Sequence, residues 1–403
     1  MEKILIVGAG PVGLSAALSL AKNKVPVTII EAESQLTTVP KASTLHPPTL
    51  EIFDELGIFD EVKEKSLIVE SFQQWDRGNN KIVAELKLEV LKDETKYPYR
   101  FQCEQHHLTE IIQKELKENE NIDIFFDSPL EKLKQVGEKV EVTINRNGKE
   151  VKETYDFVIG ADGASSVVRK SQNIPFSGLT YPQHHLLICV EDHDFTEDYP
   201  GLSPVSYFSD SEEWVALIQN LSMWKFLIPL DPKIEDQLDD EYIQDKIRKF
   251  SGRAKTFNIV HWVVYRAHQR VADKFLVNRV AIIGDAAHVN NPLGGMGMNS
   301  GVHDAYFLSN YLTRVYHNKE SLDILKGFER ERQTSAKEEV QKHTIKNEEA
   351  ASNEEEIEKR KKEMQEMMND REKMKRYLLE TSMIKGFNNR RITDTDKEVV
   401  YDD

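Results

Sequence analysis

Three acidic side chains in this chain stand at or just past the end of an apolar run, and that placement suits a carboxylate to one kind of work. Glu31 ends the run Val27–Ile30, Asp162 lies in Gly160-Ala161-Asp162-Gly163, and Asp285 follows Val280–Ile283 and Gly284. A carboxylate where a strand leaves its sheet can accept charge-assisted hydrogen bonds from ligand hydroxyls. Glu31 has the fullest context. Ile4-Leu5-Ile6-Val7 reads as a short buried strand. Gly8-Ala9-Gly10-Pro11-Val12-Gly13 follows, then a helix of small residues from Leu14, then the second strand and its acid. An acid about twenty residues beyond the glycines completes the dinucleotide-binding pattern. Gly8 is expected to make the tight turn, Gly10 to let a pyrophosphate approach the backbone, and Gly13 to let helix and strand pack closely. The helix N-terminus supplies free N–H groups and partial positive charge to the phosphates. Glu31 would accept from a ribose diol and repel a 2′-phosphate. The motif alone leaves NAD and FAD both open.

The elements that must position these groups follow from the rest of the chain. Its 403 residues suffice for one large or two ordinary domains. With 53 basic and 69 acidic residues the net charge is −16, so neither nucleic acid nor an anionic membrane is an expected partner. Cys103 and Cys189 are too few for a disulfide framework or a cysteine-based zinc site, and fit a reducing cytoplasm. Gly8 interrupts the first apolar run before it resembles a signal peptide, and no run approaches the roughly 20 residues of a bilayer span. No HxH or HExxH spacing occurs, so no metal is expected.

Two later segments extend the pattern. Tyr155–Lys170 (YDFVIGADGASSVVRK) is a strand ending at the Asp162-Gly163 turn, then a serine-rich helix start with Arg169. Asn278–Leu312 is a strand ending at Gly284-Asp285, a glycine-rich turn, and a long helix beginning near Gly297 or Met298. In this order the three pieces resemble the single-component flavoprotein aromatic hydroxylases, FAD-dependent monooxygenases related to para-hydroxybenzoate hydroxylase, from Met1 to about Leu312. The resemblance implies an α/β fold: a Rossmann-like FAD-binding domain, an antiparallel-sheet substrate domain and C-terminal helices. It implies that Glu31, with Ala32 beside it, binds the adenosine ribose, that Asp285 binds the ribityl chain, and that Asp162-Gly163 touches FAD and the incoming nicotinamide. Gln105 matches a glutamine near the flavin, and Lys41 falls where the family has arginine, keeping the charge without the planar fork of donors. Pro292, Gly295, Gly297, Met298 and Asn299 match the segment beside the isoalloxazine ring, where a helix N-terminus would stabilise the reduced flavin.

By the same resemblance NAD(P)H reduces the flavin as a transient reductant, O2 adds to give a flavin hydroperoxide, and one oxygen passes to a small aromatic or fused-ring substrate. Epoxidation, oxidative decarboxylation, inactivation of an antibiotic, or a non-catalytic flavin-binding sensor are the alternatives. Trp224–Pro229 (WKFLIP) lacks the second tryptophan of the flavin halogenase signature, so halogenation is not expected. A second GxGxxG unit and a CxxC are both missing, which argues against a two-nucleotide disulfide reductase.

The expected boundaries are 1–70, 101–173 and 272–328 for the FAD domain, 71–100 and 174–271 for the substrate sheet, and 329–403 for the helical region. The sheet segments alternate apolar and polar residues and concentrate Phe72, Trp75, Tyr207, Phe208, Trp214, Trp224, Phe226, Trp262 and Tyr265, a few of which should line a pocket for a flat ligand. His184-His185 reads as a surface pair preceding a strand, and no histidine is assigned as a base. Met364, Met367, Met368, Met374 and Leu378 recur at helical spacing among alternating charges, as in solvated helices closing the domain. Ile392–Asp403 is expected to fray.

Overall fold

The structure, a computed structural model, describes residues 3–209, 213–349 and 354–388, so the expectation for Ile392–Asp403 lies outside the described residues. A six-stranded sheet forms the first layer, in the order Leu276–Val277, Val280–Ile282, Phe157–Gly160, Ile4–Val7, Val27–Ile30 and Ile122–Phe125. All neighbours run parallel except the Leu276–Val277 edge. Such strands are buried on both faces, which is why they read as unbroken apolar runs. Their register matters for function. Val7 lies level with Ile30 and with Gly160, and Gly160 with Ile282. Four strands therefore end at one height, and the turns that carry Gly8, Glu31, Asp162 and Asp285 share one rim, where open α/β sheets bind ligands.

Two helices cover one face of this sheet. Pro11–Lys22 packs against Met296–His317, with the Ser309 hydroxyl donating to the Ala16 carbonyl at 3.2 Å. A Cβ on Gly301 would lie 2.5 Å from Cγ2 of Val12, so the contact needs glycine. The long helix begins at Met296, slightly earlier than the sequence reading, because Gly295 takes the left-handed conformation that ends the preceding turn.

The second layer is an eight-stranded sheet ordered His288–Val289, Asn258–Ala272, Phe176–Glu191, Trp224–Leu230, Trp214–Gln219, Val205–Ser209, Ser71–Asp76 and Lys81–Lys87. It is antiparallel except that Val205–Ser209 pairs parallel to Ser71–Asp76. The early segment reaches the sheet from the parallel-sheet layer by a long crossover, and only short turns enforce antiparallel pairing. His184 and His185 lie inside the strand Phe176–Glu191, not before it, and both are buried. The surface-pair reading is thereby corrected: His184 Nδ1 meets Glu235 at 2.6 Å, and His185 stacks on Tyr265 with ring centroids 5.7 Å apart. A three-stranded antiparallel sheet over Leu130–Val136, Lys139–Arg146 and Lys149–Tyr155 is unassigned in the sequence reading.

The C-terminal helices Glu354–Met368 and Arg371–Thr381 lay Met364, Met367, Met374 and Leu378 on Phe72, Ala84, Leu86 and Leu88 of the sheet edge. Met368 is exposed instead, one helical step off the stripe.

Between the layers sits a fully buried carboxylate. Asp304 Oδ2 accepts from the Gly284 backbone at 3.0 Å and meets His288 Nε2 at 2.7 Å, while Arg332 Nε donates to Oδ1 at 2.6 Å. Burial alone would raise its pKa; the charges of His288 and Arg332 and the bonds from both hold it down at about 2. A folded pKa below the unfolded value contributes stability that is present above the unfolded pKa, near 3.9, and lost as pH falls through about 2. The expected contribution is about 2–3 kcal/mol. Urea unfolding of wild type and Asp304→Asn should show a gap between them that narrows by about this amount from pH ~5 to pH ~2; a gap independent of pH contradicts it.

Candidate active site

The rim of the parallel sheet opens into a cleft of about 920 Å³. It is lined, among others, by Gly8, Gly10, Pro11, Val12, Glu31, Ala32, Lys41, Gln105, Asp162, Gly163, Asp285 and Met298. These twelve of the residues expected from sequence thus come together. Gly13, Gly284, Pro292, Gly295, Gly297 and Asn299 do not line it and stand behind it.

The glycine turn has the geometry a pyrophosphate requires. Gly8 has φ of +105°, and a Cβ there would lie 2.5 Å from the Ala161 carbonyl oxygen. A Cβ on Gly13 would sit 2.0 Å from the Gly8 oxygen, whereas one on Gly10 would meet nothing within 4 Å and project into open space. Turn and packing thus fall to Gly8 and Gly13, while the space beside Gly10 is open. No side chain caps the helix Pro11–Lys22, and none caps Met296–His317, so both N-termini keep unsatisfied N–H groups.

The acids differ in what they already hold. Glu31 accepts from the backbone of Ala9 at 2.7 Å and of Glu33 at 3.1 Å, tying the glycine turn to its own strand end. Asp162 accepts from the Ser166 hydroxyl at 2.6 Å and from the Val167 and Val168 N–H groups at 2.7 and 3.0 Å. Its carboxylate caps the next helix, while burial outweighs those bonds and raises its pKa. Asp285 hydrogen-bonds to no described residue, and neither do the side chains of Lys41 and Gln105. Asp285 lies at the open floor of the cleft, where desolvation raises its pKa against the charges of His288 and Lys41. A carboxylate exposed to the cleft and unpaired by the protein is available to a ligand hydroxyl. Arg169, named in the sequence without a role, donates to the carbonyls of Ala286 at 2.8 Å and Ala164 at 2.7 Å and so braces both turns.

The segment after Asp285 is held from behind. Asn299 Oδ1 accepts from the His46 backbone at 2.8 Å and the Thr49 hydroxyl at 2.7 Å, and its Nδ2 donates to the carbonyls of Thr44 at 2.8 Å and Gly295 at 2.7 Å. That amide is fully used within the protein. His46 Nε2 lies 2.9 Å from the Gly294 carbonyl, and burial, then the charge of Arg100, pushes its pKa well below the usual range. A buried ion pair links the eight-stranded sheet to the start of the helix Gln105–Lys117. Lys225 Nζ reaches Glu104 at 2.7 Å and the Lys41 carbonyl at 3.0 Å, from the second position of WKFLIP.

Across the Leu293–Met296 turn lies a smaller cavity of about 110 Å³, walled by Phe72, Tyr207, Phe208 and Trp214 from the aromatic set, and by Arg100, Arg360, Met364, Tyr377 and Thr381. Trp75, Trp224 and Phe226 are core instead. Sequence reasoning missed Arg100 and the contribution of the C-terminal helices, because no local pattern says which distant side chains meet over a pocket. Among the described residues, no three His, Cys, Asp or Glu side chains gather to hold a metal ion.

A dinucleotide cleft on a parallel-sheet rim, with an antiparallel sheet walling an apolar cavity beside it, is the arrangement of an FAD-binding flavoprotein. The chain belongs to the family described as FAD binding domain, which matches residues 1–343. It is 32% identical over 335 residues to 6-hydroxy-3-succinoylpyridine 3-monooxygenase HspB of Pseudomonas putida, covering 82% of this chain and 84% of that one. It is 29% identical over 330 residues to para-nitrophenol 4-monooxygenase of Pseudomonas sp. strain WBC-3, 81% of each. The crystal structure of p-nitrophenol 4-monooxygenase PnpA from Pseudomonas putida DLL-E4 superimposes with a TM-score of 0.88 at 26% identity, over 96% of this chain and 99% of that one.

Removing the unpaired carboxylate separates a ligand role from a structural one. Asp285→Ala should weaken FAD about ten- to a hundredfold, the value of a charge-assisted bond of about 1.5–3 kcal/mol, without lowering the melting temperature of the apo-protein. Unchanged FAD affinity with a lowered apo melting temperature would make Asp285 a turn cap only.

Proposed function

We propose that this chain hydroxylates a small aromatic compound, spending NAD(P)H and O2. The observation that carries the reading is the adjacency of the two spaces. The turn Leu293–Met296 borders the apolar cavity, and the helix it opens presents Met298 to the dinucleotide cleft. A ring in the cavity and a flavin in the cleft would meet across that turn. Names of relatives point the same way: one acts on para-nitrophenol, another on 6-hydroxy-3-succinoylpyridine.

In this reading Glu31 holds the adenosine ribose, the uncapped Pro11–Lys22 N-terminus the pyrophosphate, and Asp285 the ribityl hydroxyls. The N-terminus of Met296–His317 stabilises negative charge on the flavin ring. Bound FAD supplies the redox chemistry, accepting a hydride from NAD(P)H and activating O2. The ring C–H becomes C–OH, and the second oxygen atom leaves as water. The aromatic wall and the C-terminal helices orient the ring and exclude water. The nicotinamide coenzyme docks transiently and leaves oxidised. The cytoplasm is the proposed place of work, in keeping with two cysteines that are both free and buried; no helix among the described residues is long and apolar enough to cross a membrane.

FAD-loaded protein should oxidise NADH or NADPH in air faster when a suitable phenol is added, with hydroxylated product appearing in step with coenzyme consumed. Coenzyme oxidation that no member of a phenol panel alters, with no hydroxylated product, would contradict the reading.

A further inference from the structure

The small cavity carries an electrostatic anomaly. This chain has 69 acidic against 53 basic residues. Yet the cavity wall holds two arginines and no Asp or Glu. Arg360 is accounted for: its Nη2 bonds the Tyr377 hydroxyl at 2.5 Å, and Glu363 lies 3.7 Å from Nη1. Arg100 is not. It is 4% exposed, and no carboxylate pairs with it among the described residues. Its Nη2 makes two long contacts, 3.3 Å to the Ser382 hydroxyl and 3.5 Å to the Thr381 carbonyl, and its Nε has no partner. Its Cζ lies 5.0 Å from the Phe72 ring centroid, a cation–π contact.

The other buried arginines show what a satisfied guanidinium looks like in this protein. Arg332 pairs with Asp304 at 2.6 Å, Arg314 with Glu320 at 2.9 Å, and Arg169 donates to two carbonyls at 2.7 and 2.8 Å. A cation taken out of water without a counter-charge is strongly unfavourable, and is retained where a ligand completes it. Burial pushes the Arg100 pKa down, against smaller contributions from Tyr207 and Tyr377. Tyr207 stands on the same wall, and its hydroxyl bonds no described group.

Size narrows the ligand. A cavity of about 110 Å³ is of the same order as the roughly 150 Å³ cavity that holds one benzene, so one ring is the largest aromatic system it takes without widening.

We propose that Arg100 is the specificity-determining residue of this cavity and pairs with an anionic oxygen, a carboxylate or a phenolate, on a single-ring aromatic substrate. The inference rests on the cavity being the substrate site of the proposed hydroxylase. The planar fork of Arg100 would take that oxygen through donors that now go unused, and Phe72 and Trp214 would flank the ring.

Calorimetric titration of the FAD-loaded protein tests it with matched probes. Benzoate is set against benzamide, and the anion of 4-nitrophenol against the neutral form of the same molecule, taken on either side of its own pKa. Wild type should prefer the anion in at least one pair by on the order of 30-fold, the value of a charge-assisted bond; the pair that shows it identifies the carboxylate or the phenolate as the source. Arg100→Met should abolish the preference by weakening the anion alone, while FAD binding and melting temperature hold. Arg100→Lys should keep part of the preference, and decides the matter should the methionine variant not fold. A wild type that binds neutral and anionic probes alike, or binds none, overturns the proposal, as does a preference that survives in Arg100→Met. Binding is read without turnover, so failed hydroxylation with an intact anion preference would count against the proposed reaction and not against Arg100.

Discussion

The carboxylate of Asp304 is the point through which the rim of the parallel sheet is held in register. One oxygen receives the Gly284 backbone and His288, the other receives Arg332, and each partner comes from a different element. The turn that presents Asp285, the strand that joins the second sheet, and the helix Leu325–Thr334 are thereby tied to the helix Met296–His317. Breaking one member of a buried charge network costs about 3–5 kcal/mol, because the rest is left unpaired out of water. The same bond set therefore supplies rigidity where the reaction needs it: at the two ends of the helix-turn unit that faces both the cleft and the cavity.

Buried ions elsewhere follow the same logic and define its exception. Lys225 and Glu104 clamp the substrate sheet to the start of the helix that carries Gln105, and Lys225 also anchors the Lys41 carbonyl. Each of these charges is balanced inside the protein. Arg100 is not, and neither is the cleft-exposed Asp285; each borders one of the two spaces. Structural ions are paired; ions left open stand where a ligand would close them.

The nucleotide half of the fold was legible because it is local. Strand, glycine turn, helix and acid lie within one short stretch, and backbone geometry at Gly8, Gly10 and Gly13 depends on neighbours only a few positions away. Asp285 was legible for a similar reason, since a strand end fixes where its carboxylate emerges. The substrate half was not. Phe72, Tyr207 and Trp214 were visible as an aromatic set, but nothing separated them from Trp75, Trp224 and Phe226, which pack in the core. Arg100 and Thr381 are 281 positions apart and meet only through the fold. The charged stretch Glu354–Thr381 looked like a solvated cover because its polar face is solvated; its methionine face packs on the sheet and walls the cavity. Asn299 lay in the right segment, yet its side chain braces that segment from behind.

The central claim is that oxygen from O2 reaches a ring held beside the Leu293–Met296 turn. The direct measurement is turnover of FAD-loaded protein with NAD(P)H under isotopically labelled O2, with mass analysis of the product. The account predicts one labelled oxygen in each molecule of hydroxylated ring. Label recovered only in hydrogen peroxide, or product oxygen drawn from water, would contradict it.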